Sequence, residues 1–186
     1  MSLRHHHDDK DELMSEKQTF EVEVGVSWDG GETVSIVVID EDTYDYDDIV
    51  STAFKDAKDN GELDGFEHIS EDDCKYDIRI TDGYLNDIGI TNSDELKDFC
   101  DVFYSDDNYH DIDVFEAAYA CDIPFEDIDE CYNGAWDSDE DFVQDLLEST
   151  GDLPSDLPHY IHIDWESTAR DVMMDYCENN GHYFRQ

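Results

Sequence analysis

Apolar positions along the first half of the chain keep two different periods. Phe20, Val22, Val24, Val26 and Trp28 alternate with Glu21, Glu23, Gly25 and Ser27, the period of a strand with one buried face. Asp29-Gly30-Gly31 supplies a tight hairpin turn, and residues 32–40 return as a second, more apolar strand. From Tyr46 the period changes. Tyr46, Ile49, Val50, Ala53, Phe54 and Ala57 fall at i, i+3, i+4, i+7, i+8 and i+11, the stripe of an amphipathic helix begun by Asp45 or a neighbour and ended by Asn60-Gly61. Tyr76, Ile78 and Ile80 form a third alternating strand. Residues 19–89 therefore predict a small antiparallel sheet with one helix across a face.

After Gly89 the pattern becomes a row of short helices. Asn92, three residues before Glu95, is a plausible N-cap for a helix burying Leu96, Phe99, Cys100 and Phe103. Asp113 with Glu116 repeats the capping signal before Val114, Phe115, Ala118 and Tyr119. Pro124 suits a first helical turn, with Phe125, Ile128, Cys131 and Tyr132 packing inward. Asn133-Gly134 breaks the chain, and Ser138 or Asp137 caps a helix holding Phe142, Val143, Leu146 and Leu147 that Gly151 ends. A Pro-bounded loop leads to residues 160–164. A last helix takes Trp165, Ala169, Val172, Met173 and Tyr176 as its inner stripe, and Asn180-Gly181 turns it into a terminal strand over 182–185. The expected fold is α+β: an elongated chain of a sheet-plus-helix subdomain (19–89), a central helical subdomain (90–132) and a mixed α/β subdomain (133–186). Residues 1–18 read as a leader without structure, in which His5-His6-His7 resembles an artificial tag more than a metal site.

Charge changes the picture most. The chain has 53 Asp or Glu against 10 Lys or Arg, a formal net charge of −43 in 186 residues. Residues 98–169 contain no Lys or Arg and 22 Asp or Glu. Self-repulsion on this scale works against any compact state. Duplex DNA carries one negative charge per ~1.7 Å of axis, so the same charge corresponds to roughly 73 Å of duplex. A compact globule of this length has a diameter of about 40 Å, so its surface is at least as densely charged as DNA. A disordered acidic tract is excluded by composition: 39% of residues are hydrophobic, 12% are aromatic and only 3 are Pro. Ordinary surfaces intersperse both signs, whereas Asp and Glu line essentially every helix expected from residue 92 to 178 with almost no Lys or Arg among them. Halophilic adaptation gives a similar composition, since saturated salt screens repulsion to a few Å.

Candidate chemistry beyond charge is thin. Asp137, Asp139, Asp141, Asp145 and Glu148 fall at positions 1, 3, 5, 9 and 12 of a calcium loop, but position 6 requires Gly and is Phe142. His159 and His162 with Asp164 lack a fourth ligand by spacing. No nucleophile elbow, phosphate-cradling loop or spaced Cys–His pair occurs, so neither an enzyme nor a cofactor is expected. Cys74, Cys100, Cys121, Cys131 and Cys177 are odd in number and contain no CxxC, which reads as small buried hydrophobes in a cytosolic protein rather than a disulfide set. No apolar run reaches membrane-spanning length, and an anionic membrane surface would repel the chain.

The last third carries a resemblance. The run from Tyr132-Asn133-Gly134 through Trp136, Ser138 and Phe142 to Leu146 is similar to the segment opening the last domain of the ArdA antirestriction family. Gly151-Asp152-Leu153-Pro154, then Tyr160-Ile161 and Ile163-Asp164-Trp165-Glu166 through Ala169-Arg170-Asp171, resembles that family's C-terminal signature. Asp77-Ile78-Arg79 through Gly83-Tyr84, followed by Ser93-Asp94-Glu95-Leu96, resembles its strand-to-helix junction. The stretch between Pro154 and Arg170 is about two residues longer than the family pattern, with His162 inserted. The resemblance implies a curved homodimer from a phage or mobile element whose carboxylates imitate DNA phosphates and occupy the DNA groove of a host Type I restriction–modification complex. It implies no nucleic-acid ligand and a place in the cytoplasm of the host bacterium. The phosphate-mimicking residues expected to act collectively are Asp98, Asp101, Asp106, Asp107, Asp111, Asp113, Glu116, Asp122, Glu126, Asp127, Asp129, Glu130, Asp137, Asp139, Glu140, Asp141, Asp145 and Glu148. Mimicry of another target (a CRISPR effector, a nucleoid or a repair protein) and an ordinary halophile domain are the alternatives.

Overall fold

The computed structural model describes residues 18–105, 107–154, 157–158 and 160–186. Helices and antiparallel sheets are mixed, so the class is α+β. Two compact units follow one another, Met1–Tyr109 and His110–Gln186. Residues 1–17 of the expected leader lie outside the described residues, whereas Gln18 is described and its carbonyl accepts from the Tyr104 hydroxyl at 2.8 Å.

In the first unit, β1 (Phe20–Trp28) and β2 (Gly31–Ile39) form a hairpin in unbroken register, and β3 (Lys75–Ile80) pairs with the other side of β1. The strand order is β2-β1-β3. Alternation decides the faces: Phe20, Val22, Val24 and Val26 point inward with Val37 and Ile39. Helix α1 (Tyr46–Asp59), started by Asp45 accepting from the Tyr46 N–H, lays Ile49, Val50, Ala53 and Ala57 on that face. Ser35, the one buried polar residue of the face, donates to the Ala53 carbonyl at 3.2 Å and ties β2 to the helix. A short helix α2 (Gly83–Asp87), absent from the periodicity, is capped by Asp82 accepting from the Tyr84 and Leu85 N–H groups and buries Leu85. Helix α3 (Ser93–Phe103) is capped by Asn92 as expected, and its Phe99 and Phe103 meet Phe20 at ring distances of 5.6 and 5.9 Å.

That packing corrects the expected boundaries. The helix assigned to a central subdomain belongs to the first unit because its apolar stripe completes that unit's core. The next helix, α4 (Ile112–Ala120), belongs to the second unit, so 90–132 is divided between the two. Its N-cap is Asp111 rather than Asp113, and that side chain makes no capping hydrogen bond. Pro124 precedes a single 3-10 turn, Phe125–Asp127, which runs into the one-turn α5 (Ile128–Cys131).

The second unit is built on a smaller sheet, β4 (Tyr132–Ala135), β5 (Tyr176–Asn179) and β6 (His182–Arg185), in order β4-β6-β5. Two expectations are corrected here. Asn133-Gly134 lies inside a bulged strand, Gly134 at φ +123°, because the ladder to β6 shifts register there. Tyr176 starts β5 instead of closing a helix, since α7 (Trp165–Val172) stops and a 3-10 turn at Met173–Asp175 redirects the chain. Helix α6 (Asp139–Thr150) follows the expectation, with Ser138 accepting from the Asp141 N–H and Gly151 ending it at φ +78°, the left-handed conformation glycine adopts without strain. Phe142, Val143, Ala169 and Tyr183 form the core, and Trp136, Leu146, Trp165 and Tyr176 pack against it.

A disulfide joins Cys121, at the end of α4, to Cys177 on β5 across a Cα separation of 5.8 Å. This overturns the reading of all five cysteines as free thiols. The partners lie 56 residues apart, and α4 packs against β5, so proximity arises from topology, which spacing does not encode. Cys74, Cys100 and Cys131 are free. Only Cys100 matches the buried-hydrophobe expectation in full, and burial pushes its thiol up to about 12.

Candidate functional site

Of the eighteen carboxylates expected to imitate phosphates, Asp106 lies outside the described residues. Sixteen of the remaining seventeen are exposed, and Glu140 is half-buried. Asp98, Asp101 and Asp107 sit on the first unit; the other fourteen sit on the second. The units therefore do not share the set equally.

Helix geometry explains why α6 shows its carboxylates. At 100° per residue, Phe142, Val143, Leu146 and Leu147 fill one side, and Asp141, Gln144, Asp145 and Glu148 fall on the other. Burying the first set forces the second into water. Asp139, Glu140, Asp141, Asp145 and Glu148 place five carboxylates along about 14 Å of axis, or one per ~3 Å. One strand of DNA carries a charge every ~3.4 Å. On α4, Val114, Phe115, Ala117 and Ala118 face inward, which turns Asp113 and Glu116 outward by the same geometry.

Helix stability alone does not account for this distribution. Acids in the first turn, such as Asp139, Glu140 and Asp141, favour the positive end of the helix dipole. Cations would favour the last turn by about 0.3–1 kcal/mol each, yet α3, α4 and α6 have none there. The second unit contains 21 Asp or Glu and two cations, Arg170 and Arg185. Arg170 reaches Glu166 at 3.6 Å, with both side chains well exposed.

Several of these carboxylates are also tied to the fold. Tyr183 donates its hydroxyl to Asp139 Oδ1 at 2.9 Å, and burial, followed by that carboxylate, holds the phenol well above its ordinary value. His110 Nε2 lies 2.9 Å from Asp129 Oδ1, with the His110 side chain only 6% exposed. The His110 ring stands edge-on to Tyr132, whose hydroxyl lies 2.9 Å from His182 Nδ1. Burial, then Asp111, raises the Tyr132 phenol. Glu148 accepts from Gln144 at 2.9 Å, and Asp141 accepts from Ser138 at 2.8 Å. On the first unit Asp101 pairs with Lys97 at 2.8 Å. Sequence periodicity placed the carboxylates outside but missed the tyrosine and histidine tethers, which depend on side chains distant in sequence.

The acidic run from Asp137 to Glu148 is a capped helix with Phe142 in the core, a shape in which no calcium loop can form. Among the described residues, no three His, Cys, Asp or Glu side chains are grouped to hold a metal ion; His159 lies outside those residues. No helix among them is long and apolar enough to cross a membrane. Set against protein-family models, curated proteins and solved structures, the chain matches none of them.

Proposed function

We propose that this protein is a DNA mimic of the ArdA kind, which blocks a Type I restriction–modification complex by occupying its DNA-binding groove without catalysing a reaction. One observation carries the reading: five carboxylates follow one another along α6 at about the linear charge density of a DNA strand, in a unit with only two Lys or Arg. Lys and Arg side chains that receive phosphates in the target would receive Asp and Glu. Counterions released from both surfaces would drive association and make it salt-sensitive. Such a surface imitates the backbone and carries no base information, so inhibition would be indifferent to recognition sequence.

The test is restriction of unmodified phage DNA by a purified Type I enzyme, with and without the protein. Inhibition that excess duplex DNA relieves and that weakens steeply between 50 and 200 mM salt is the expected result. Cleavage that persists at saturating protein overturns the target assignment. Inhibition independent of salt overturns the mimicry.

A further inference from the structure

β2 is one of the two edge strands of the first sheet, β3 being the other, and its composition departs from that of the neighbouring strands. Residues 33–39 are uncharged, in a molecule where more than one residue in four is Asp or Glu. Trp28 and Gly31 flank a two-residue turn and pair with each other, so theirs is a hydrogen-bonded pair of the ladder. Hydrogen-bonded and non-bonded pairs alternate, which turns the backbone N–H and C=O groups of Glu32, Val34, Ile36 and Val38 away from β1, toward the open edge. The side chains of the last three are 54%, 61% and 45% exposed. Outward positions on the neighbouring strands are polar or small: Glu21, Glu23 and Gly25 oppose Val38, Ile36 and Val34, and β3 shows Lys75, Asp77 and Arg79. A solvated sheet face would continue that polar pattern onto β2. Natural edges are blunted by Lys, Pro or a bulge, and β2 has none of these between residues 31 and 39.

We propose that the β2 edge receives an extended segment of a partner protein by strand addition, a segment with apolar residues at alternate positions and Lys or Arg at its ends. Unpaired backbone groups supply the ladder, and the Val34-Ile36-Val38 stripe supplies cross-strand contact for the apolar side chains. Charge selects the flanks. Asp29 and Glu32 stand at one end of the strand, and Asp40, Glu41 and Asp42 at the other. A second copy of this chain fits worse. Self-pairing that sets Ile36 against Ile36 places Glu32 opposite the other copy's Asp40, and it joins two bodies of formal charge −43. The proposal is independent of the restriction-enzyme reading, since it concerns backbone and apolar groups on β2 and none of the proposed phosphate mimics.

The probe is a labelled peptide, Lys-Lys-Val-Thr-Val-Thr-Val-Lys-Lys, compared at 0.15 M salt with two controls. One control has Ser-Pro-Ser-Pro-Ser between the same lysines, and the other has Glu in place of every Lys. The first peptide is expected to bind at least tenfold tighter than either control and to shift the amide signals of residues 32, 34, 36 and 38. Ile36→Pro removes an edge-facing donor without touching the β1 ladder, and it should cut binding at least tenfold with the far-UV spectrum retained. Ile36→Lys should do the same by setting an ammonium against the apolar centre of the peptide, and it carries the test should the proline variant fail to fold. Equal binding of the three peptides overturns the proposal, as does binding unchanged in Ile36→Lys. A free chain that sediments as a dimer, and as a monomer once Ile36→Lys is introduced, also overturns it by identifying the occupant as a second copy.

Discussion

Both units are α+β bodies with a three-stranded antiparallel sheet, yet they reach a stable core by different routes. The first pairs nine-residue strands in unbroken register and fills the space under them with valines, an amphipathic helix and a cluster of Phe20, Phe99 and Phe103. The second has four-residue strands, one of them bulged, and relies on rings: Phe142 lies 4.4 Å from Tyr183, 4.9 Å from Trp136 and 5.0 Å from Tyr176. It adds a disulfide. It is also the less compensated, with 21 acids to 2 cations over 110–186, against 27 to 5 over 18–109. A smaller unit with fewer cations per acid has less ladder to hold it, and its aromatic core and cross-link offset that deficit.

Removing either device should therefore damage the second unit and leave the first intact. Phe142→Ala deletes a fully buried ring at the centre of the cluster, a loss of about 3–5 kcal/mol. For a unit of this size each kcal/mol moves the melting point by roughly 4–8 °C, so the variant should lose the near-UV signal of Trp136 and Trp165 at room temperature while Trp28 keeps its folded environment. Loss of all three signals together would show that the units do not fold separately. Reducing the Cys121–Cys177 bond frees a 56-residue loop and should cost about 2–4 kcal/mol, again confined to the second unit. A thermal scan with and without dithiothreitol, repeated on Cys177→Ser as a redox-insensitive reference, measures it.

Much of this contrast was legible in the chain. Period two over residues 20–39, the helical stripe from Tyr46 and the caps Asn92 and Ser138 all correspond to elements found. Local signals of that kind fix an element because burial, turn chemistry and capping act within a few residues. What depended on distant contacts was not legible. The disulfide needs α4 beside β5, and the boundary after Tyr109 needs Phe103 against Phe20. Tyr176 fits a helix stripe as well as a strand, so only pairing with Arg185 decides it. For the candidate site, exposure followed directly from helix geometry, whereas the Tyr183–Asp139 and His110–Asp129 tethers join residues 44 and 19 positions apart.

Capping compares the units on equal terms. Asn92 accepts from the Asp94 and Glu95 N–H groups at 3.0 Å in the first, and Ser138 accepts from the Asp141 N–H at 3.2 Å in the second. Asn92→Ala and Ser138→Ala should each cost about 1 kcal/mol, and each should lower the melting of its own unit alone. Acid provides a gentler probe of the same ends. Glu95 accepts the Thr91 backbone N–H at 2.7 Å and its hydroxyl at 2.8 Å, which holds the carboxyl below its ordinary 4.5. Asp164 is held below 3.8 in the same way by Ser167. A lowered folded value means that each contribution is present above the unfolded value and lost as pH falls through the folded one. Protection of the Thr91 amide, measured against its intrinsic exchange rate at each pH, should therefore fall only below about pH 4.5, and that of Ser167 only below about 3.8.

The smallest expected effect bears most directly on function. In a surface that works by summed charge, one carboxylate contributes no more than an exposed ion pair, about 0.2–1 kcal/mol, or a factor of roughly 1.4 to 5 in affinity. Asp145→Asn should weaken inhibition of restriction by that factor and lower the salt slope by about one unit. Asp141→Asn, Asp145→Asn and Glu148→Gln combined should weaken inhibition more than any one of them but not as a simple product, since the three lie three and four residues apart on one exposed stripe of α6 and their charges couple. Asp101→Asn on the first unit should change less than any of them, because Lys97 already counters that charge at 2.8 Å. A single neutralisation that abolished inhibition would replace the distributed surface with one decisive contact. An effect at Asp101 equal to that at Asp145 would mean that local compensation is irrelevant, and the distinction between the two units would then lie in their cores alone.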